Sequence, residues 1–129
     1  MDRFEQLDVT AFDRYFNGKE HKRSVELYLK LADLFINSLE EKLVELNHAL
    51  QSLQLEDARE IAHRIRNLLL SLGGSDLAKV FHEIECVRTY EAAQEQIKLL
   101  ATSKQELQQF LDELNAWMIA LEASIHPWH

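Results

Sequence analysis

The sequence predicts an all-α fold, an antiparallel four-helix bundle with a short extra N-terminal helix. Three observations support this. Only three glycines and one proline occur in 129 residues, too few turn formers for a sheet with many hairpins. Apolar residues recur at spacings of three and four along four long segments, the signature of helices with one buried face. Hydrophobic residues make up 47% of a chain of single-domain length, enough for one core, so residues 1–129 read as one domain.

The short first helix spans about Val9 to Phe16 and is expected to stop at Asn17-Gly18. The second begins near Glu20 and sets Ala32, Phe35, Leu39, Leu43, Leu46, Leu50 and Leu53 on one face. A break is expected around Ser52 to Leu55. Glu56 and Asp57 then suit a first turn, where acidic groups complement the helix dipole. This third helix runs to Leu72 and ends at Gly73-Gly74. Ser75 reads as the N-cap of a fourth, with a stripe of Leu77, Val80, Phe81 and Ile84. The fifth runs from about Glu91 to Pro127 in heptad-like register, from Ala93 through Ile97, Leu100, Leu107, Leu111, Leu114, Met118 and Leu121 to Ile125. Lys104 is its one interruption.

Charge narrows the function classes. With 22 acidic and 14 basic residues the formal net charge is −8. Nucleic-acid binders carry the opposite balance, because their affinity comes from neutralising phosphates. An anionic membrane surface would repel the chain as well. Cys86 is the single cysteine and has no internal disulfide partner. MDRFEQLD lacks an apolar signal-peptide core, and no run reaches the ~20 apolar residues of a membrane span. A cytoplasmic location is expected.

The third helix carries the chemistry. Its core stripe is Ala58, Ile61, Ala62, Ile65, Leu68, Leu69 and Leu72. At roughly 100° per residue, His63 projects about 160° away from the centre of that stripe, toward solvent or a partner. Arg59, Arg66, Asn67 and Leu70 surround it at helical spacing. Two guanidinium groups beside an exposed imidazole make a small positive spot where a phosphoryl group would find charge-assisted hydrogen bonds. Leu70, well off the stripe, reads as an exposed apolar side chain suited to docking. The bland alternatives are a casually exposed histidine and ordinary helix-surface charge.

The run His63-Arg-Ile-Arg66-Asn67, followed by Leu72-Gly73, resembles the signature of the histidine phosphotransfer (HPt) family. That signature reads His-x-Leu-Lys-Gly with a glycine ten residues after the histidine. Ala62 matches the small residue usual before that histidine, and Glu85 fits the acidic residue closing the next helix's pattern. Leu34-Phe35 and the stripe through Leu50 look like the family's first long helix, so the resemblance extends from about Leu7 to Glu85. Departures are also visible. Arg66 stands for lysine and keeps the charge as a wider, planar group. Asn67 stands for glycine and would either hydrogen-bond the phosphoryl oxygens or obstruct docking. Leu68, Leu69 and Leu70 are bulkier than usual, and Gln54 replaces a common aspartate cap.

The resemblance implies a phosphoryl carrier rather than an enzyme. His63 would take a phosphoryl group from a receiver-domain aspartate and pass it to another receiver, with Arg66 compensating charge. Arg59, Asn67 and Leu70 would contact the partner. The partners implied are receiver domains of response regulators or a hybrid sensor kinase. No cofactor is expected on this chain, Mg²⁺ belonging to the receiver, and the carrier is expected to be a monomer. No Gly-rich phosphate loop is visible, so self-phosphorylation from ATP is not expected.

Two rivals remain at this stage. A non-catalytic helical module, including a degenerate HPt domain, would bind receivers without relaying phosphate. A metal-binding bundle is suggested by Glu45-Leu-Asn-His48 and Glu60-Ile-Ala-His63, whose spacing di-iron bundles use with all ligands facing inward. Both pairs lie off the core stripes, which argues against a metal. His21, His48, His82, His126 and His129 read as surface groups, Trp117 and Trp128 as packing residues. Cys86 is expected to be exposed and is assigned no role.

Overall fold

The computed structural model describes residues 4–16 and 20–126; the expected stops at Asn17-Gly18 and Pro127, together with Trp128 and His129, lie outside them. Every regular element among the described residues is helical. They are α1 (Thr10–Tyr15), α2 (His21–Gln51), α3 (Leu55–Leu72), α4 (Ser75–Glu85), α5 (Tyr90–Thr102) and α6 (Lys104–Ile125). The helices form a bundle in which α3 packs between α2 and α4, α2 also meets α5 and α6, and α1 lies against α3. The antiparallel run of α2 and α6 is visible at both levels of their contact. Phe35 meets Phe110 edge-on at 6.1 Å, and the His21 ring sits 2.8 Å from Ser124 Oγ.

The core follows from the apolar spacing. Tyr28, Phe35, Leu46, Leu50, Ile65, Leu69, Leu72, Phe81, Ile84, Phe110 and Leu114 are almost wholly excluded from solvent. On α3, Ala58, Ala62, Ile65, Leu69 and Leu72 are buried, whereas Ile61 and Leu68 are half-buried at the edge of the stripe. Burying Tyr28 leaves its hydroxyl in need of a partner. It donates to the carbonyl of Leu72 at 2.6 Å, one of the acceptors that the end of α3 leaves open.

The turns depart from the sequence reading in three places. Leu53, expected on the buried face of α2, is 45% exposed and left-handed, with φ 58°. Its N–H donates to the Leu50 carbonyl, and the Gln54 N–H to that of Ala49, so it serves as the turning residue of a Schellman end. Ser75 is not an N-cap. The chain re-enters a helix directly at Ser75, and Gly74 takes the cap position without a side chain. The expected fifth helix is two helices meeting at Ser103, whose N–H is shared between the carbonyls of Leu99 and Leu100. The Thr102 hydroxyl competes for the Leu99 carbonyl at 3.0 Å, which weakens the helical ladder there.

The turn between α3 and α4 sets the site. Gly73 adopts φ 107°, a left-handed conformation, and donates to the Leu69 carbonyl at 2.9 Å. A Cβ on Gly73 would overlap the carbonyl oxygen of Asp8, which is drawn in because the Asp8 N–H donates to the Gly73 carbonyl at 2.8 Å. Gly74 is pressed between Leu69 and the ring of Phe110 on α6. The N-terminal segment is held from the other side by Glu113 of α6, whose carboxylate accepts from the N–H groups of Gln6 and Leu7. Both the conformation and the missing side chain are therefore needed at Gly73. Gly73→Ala is expected to destabilise the protein by about 2–3 kcal/mol, read as a lowered urea midpoint; an unchanged midpoint would contradict this account.

Candidate functional site

The site lies where α3 passes the last residue of α4. His63, Arg66 and Asn67 occupy the outward face of α3, since the core stripe claims the opposite side. The two-residue turn folds α4 back along α3, and this brings Glu85 level with His63. The His63 side chain is 52% exposed, against 16% for Glu85 and 25% for Arg66, so the imidazole is the accessible group and its supports lie beneath it.

Glu85 holds the arrangement. His63 Nδ1 is 2.7 Å from Glu85 Oε1. Arg66 Nε donates to Glu85 Oε2, and Arg66 Nη2 reaches Oε1 at 3.4 Å. Burial pushes the Glu85 carboxyl up, but the hydrogen bonds from His63 and Arg66 and the Arg66 charge outweigh it and hold the group below its ordinary value. A carboxylate can only accept, so Nδ1 is the nitrogen that carries the proton. Arg66 Nη2, 3.3 Å from Nδ1, is then a neighbouring charge rather than a donor to the ring. Nε2 is left with its lone pair outward, and the Asn67 side-chain amide donates to it across 3.1 Å.

Arg59, expected beside the imidazole, is engaged at the end of α4, where its guanidinium donates to the Val87 carbonyl at 3.0 Å. Arg88 donates to the same carbonyl at 2.8 Å and to that of Glu85 at 3.1 Å. Two cations thus close the end of α4, where the open carbonyls and the negative pole of the helix favour them. Leu70 is not the exposed docking group expected. It is half-buried against the core, because neighbours on several sides of α3 cover a wider sector than one stripe.

In the sequence Glu85 stands out only through the family resemblance, and His82 reads as a plain surface group. His82 Nδ1 in fact stands 3.9 Å from Glu85 Oε2, at the edge of the cluster. A count along the hairpin narrows the choice: with a turn of two glycines, His63 lies ten residues before it and Ile84 ten after, so the acidic neighbours Glu83 and Glu85 are both near that register, and the structure brings Glu85 to the ring.

Both Glu-x-x-His pairs face outward, with all four residues exposed apart from the contacts described and Glu60 tied to Arg64 at 2.7 Å. Among the described residues no group of three or more His, Cys, Asp or Glu side chains is arranged to hold a metal. Cys86 is exposed, as expected. Trp117 packs edge-on to Phe12 at 6.5 Å. Among the described residues no helix is long and apolar enough to cross a membrane.

The site is thus an exposed histidine on a helical bundle, backed by a largely covered acid and a guanidinium. The family model of the Hpt domain matches residues 30–118, from within α2 to within α6, and the chain belongs to that family. Its function is accordingly tied to phosphotransfer in two-component phosphorelays, in which Hpt domains are carriers that meet receiver domains. Comparison with curated proteins found no match, and comparison with solved structures found none either.

The lowered carboxyl of Glu85 has a consequence for acid stability. A depressed value in the folded state means that its contribution is complete above the ordinary glutamate value of 4.5 and is lost as pH falls through the lower folded one. Glu85→Gln is expected to cost about 1–2 kcal/mol at pH 7. Its urea midpoint should converge with that of the parent protein as the pH falls past 4.5 and through the lower folded value. A difference that stays constant down to acid pH would show that the carboxylate is not held in this way.

Proposed function

We propose that His63 is the phosphoryl acceptor, through Nε2, and that the protein carries the group from the aspartyl phosphate of one receiver domain to the aspartate of another. The observation that supports this reading is the Nδ1–Glu85 hydrogen bond on an exposed ring, which leaves Nε2 as the outward nucleophile. Histidine suits the step because its ordinary pKa of about 6.5 keeps a neutral ring available near pH 7.

In the reaction the Nε2 lone pair forms the N–P bond. The P–O bond to the receiver's aspartate breaks, and its electron pair leaves on the carboxylate oxygen. The Nδ1 proton stays between the ring and Glu85, whose negative charge offsets the cation developing on the imidazole. Arg66 keeps Glu85 in place and adds positive charge beneath the incoming group. Phosphoryl transfer asks mainly for position and charge compensation, and a receiver would supply the acidic pocket and Mg²⁺. This chain then needs no cofactor, acts as a carrier and not an enzyme, works as a monomer and belongs in the cytoplasm.

The test is incubation with a phosphorylated receiver domain in Mg²⁺. The protein should take up acid-labile label, and His63→Gln should abolish it; label retained by that variant would move the acceptor elsewhere. Arg66→Ala should slow uptake by about 10- to 100-fold, with Arg66→Lys recovering part of the loss, as measured by rapid-quench labelling. A second reading, a bundle that binds receivers without accepting phosphate, is favoured by the Asn67 amide standing on Nε2. It calls for receiver binding with no label in the parent protein.

A further inference from the structure

We infer that Asn67 is a gate on the acceptor nitrogen, its side-chain amide occupying the approach to His63 Nε2 and leaving before a phosphoryl group arrives; the inference rests on the acceptor reading above. Asn67 stands one helical turn beyond His63, on the same face, and its Nδ2 lies 3.1 Å from Nε2. An imidazole lone pair lies in the ring plane and points straight outward. A donor at that distance fills the position an attacked phosphorus must take, since reacting atoms approach to about 3–3.5 Å in line. Amide and phosphorus cannot both be there.

The orientation of the amide follows from the rest of the cluster. Glu85 receives the Nδ1 proton and is itself bound by Arg66, so moving that proton to Nε2 would cost the hydrogen bond to a charged acceptor. Nε2 therefore remains an acceptor, and only the N–H₂ side of the Asn67 amide can face it; the oxygen would set lone pair against lone pair. Asn67 is exposed, so the amide can swing into water at the cost of one hydrogen bond. The gate slows transfer without closing the site. When it opens, the step is the one already described: Nε2 bonds to phosphorus, the aspartyl P–O bond breaks with its pair on the carboxylate, and the Nδ1 proton stays on Glu85's side of the ring.

Asn67→Ala removes the gate on an exposed helix face, where alanine favours the fold. Two measurements on the full chain test it. In ¹⁵N spectra of histidine-labelled protein, Nε2 of His63 should move toward the value of a free lone pair in the variant, while Nδ1 keeps its hydrogen-bonded value. With a phosphorylated receiver, forward transfer to the variant should be about five-fold faster, the factor that a net hydrogen bond of about 1 kcal/mol represents. An Nε2 signal identical in the two proteins overturns the gate. So does slower transfer to Asn67→Ala, which would make the amide a donor to the phosphoryl oxygens. A shifted Nε2 signal with no label in either protein overturns instead the acceptor reading on which the gate rests.

Discussion

The two-residue turn at Gly73-Gly74 is the constraint on which the site depends. Gly73 sits in a left-handed conformation with the Asp8 carbonyl where a side chain would be, and Gly74 has the Phe110 ring against it. No longer connection intervenes, so α4 returns along α3 in one register. That register puts a carboxylate from residue 85 under an imidazole from residue 63. A turn one residue longer would rotate or shift α4, and the 2.7 Å contact between them would be lost. The local backbone choice at two glycines is thus the origin of the pairing.

From that contact the electrostatics follow in order. Glu85 is mostly covered, and an uncompensated carboxylate there would be costly. Arg66 and His63 both supply protons to it, and each is fixed in turn by the bond it makes. The ring is oriented by its Nδ1 contact with Glu85, and Nε2 lies on the opposite side of it, 3.1 Å from the Asn67 amide. Three cations stand at this end of the hairpin of an acidic protein: Arg59 and Arg88 at the end of α4, and Arg66 beside the ring.

Much of this was legible in the amino-acid order, and the failures have physical causes. The α3 stripe could be read because a helix buried along one side imposes its period on the apolar residues. The same angular argument placed His63 outside. It failed for Leu70, since a helix with several neighbours buries more than one stripe. It failed for Leu53, where the period continues into a residue that has already left the helix. The bend at Ser103 was hidden by an apolar register that carries straight through it; only the Thr102-Ser103 pair hinted at competition for the ladder. Arg59 could be placed on the right face but not at the right partner, because a long side chain reaches well beyond its own turn. Glu85 is a tertiary neighbour, which the period of its own helix cannot reveal; only the family resemblance pointed to it.

Arg59 and Arg88 close the end of α4, and the polar cluster around His63 is complete by that point of the chain. Among the described residues the side chains in polar contact with the imidazole come from α3 and α4, and the cations on the Val87 carbonyl close that pair before the chain moves on to Thr89, whose hydroxyl starts α5 by accepting from the Ala92 N–H. Behind the hairpin, the described residues of α5 and α6 place no side chain in polar contact with the His63 imidazole. Sequence drift along those two helices can therefore spare the cluster as long as Phe110 keeps its seat on Gly74.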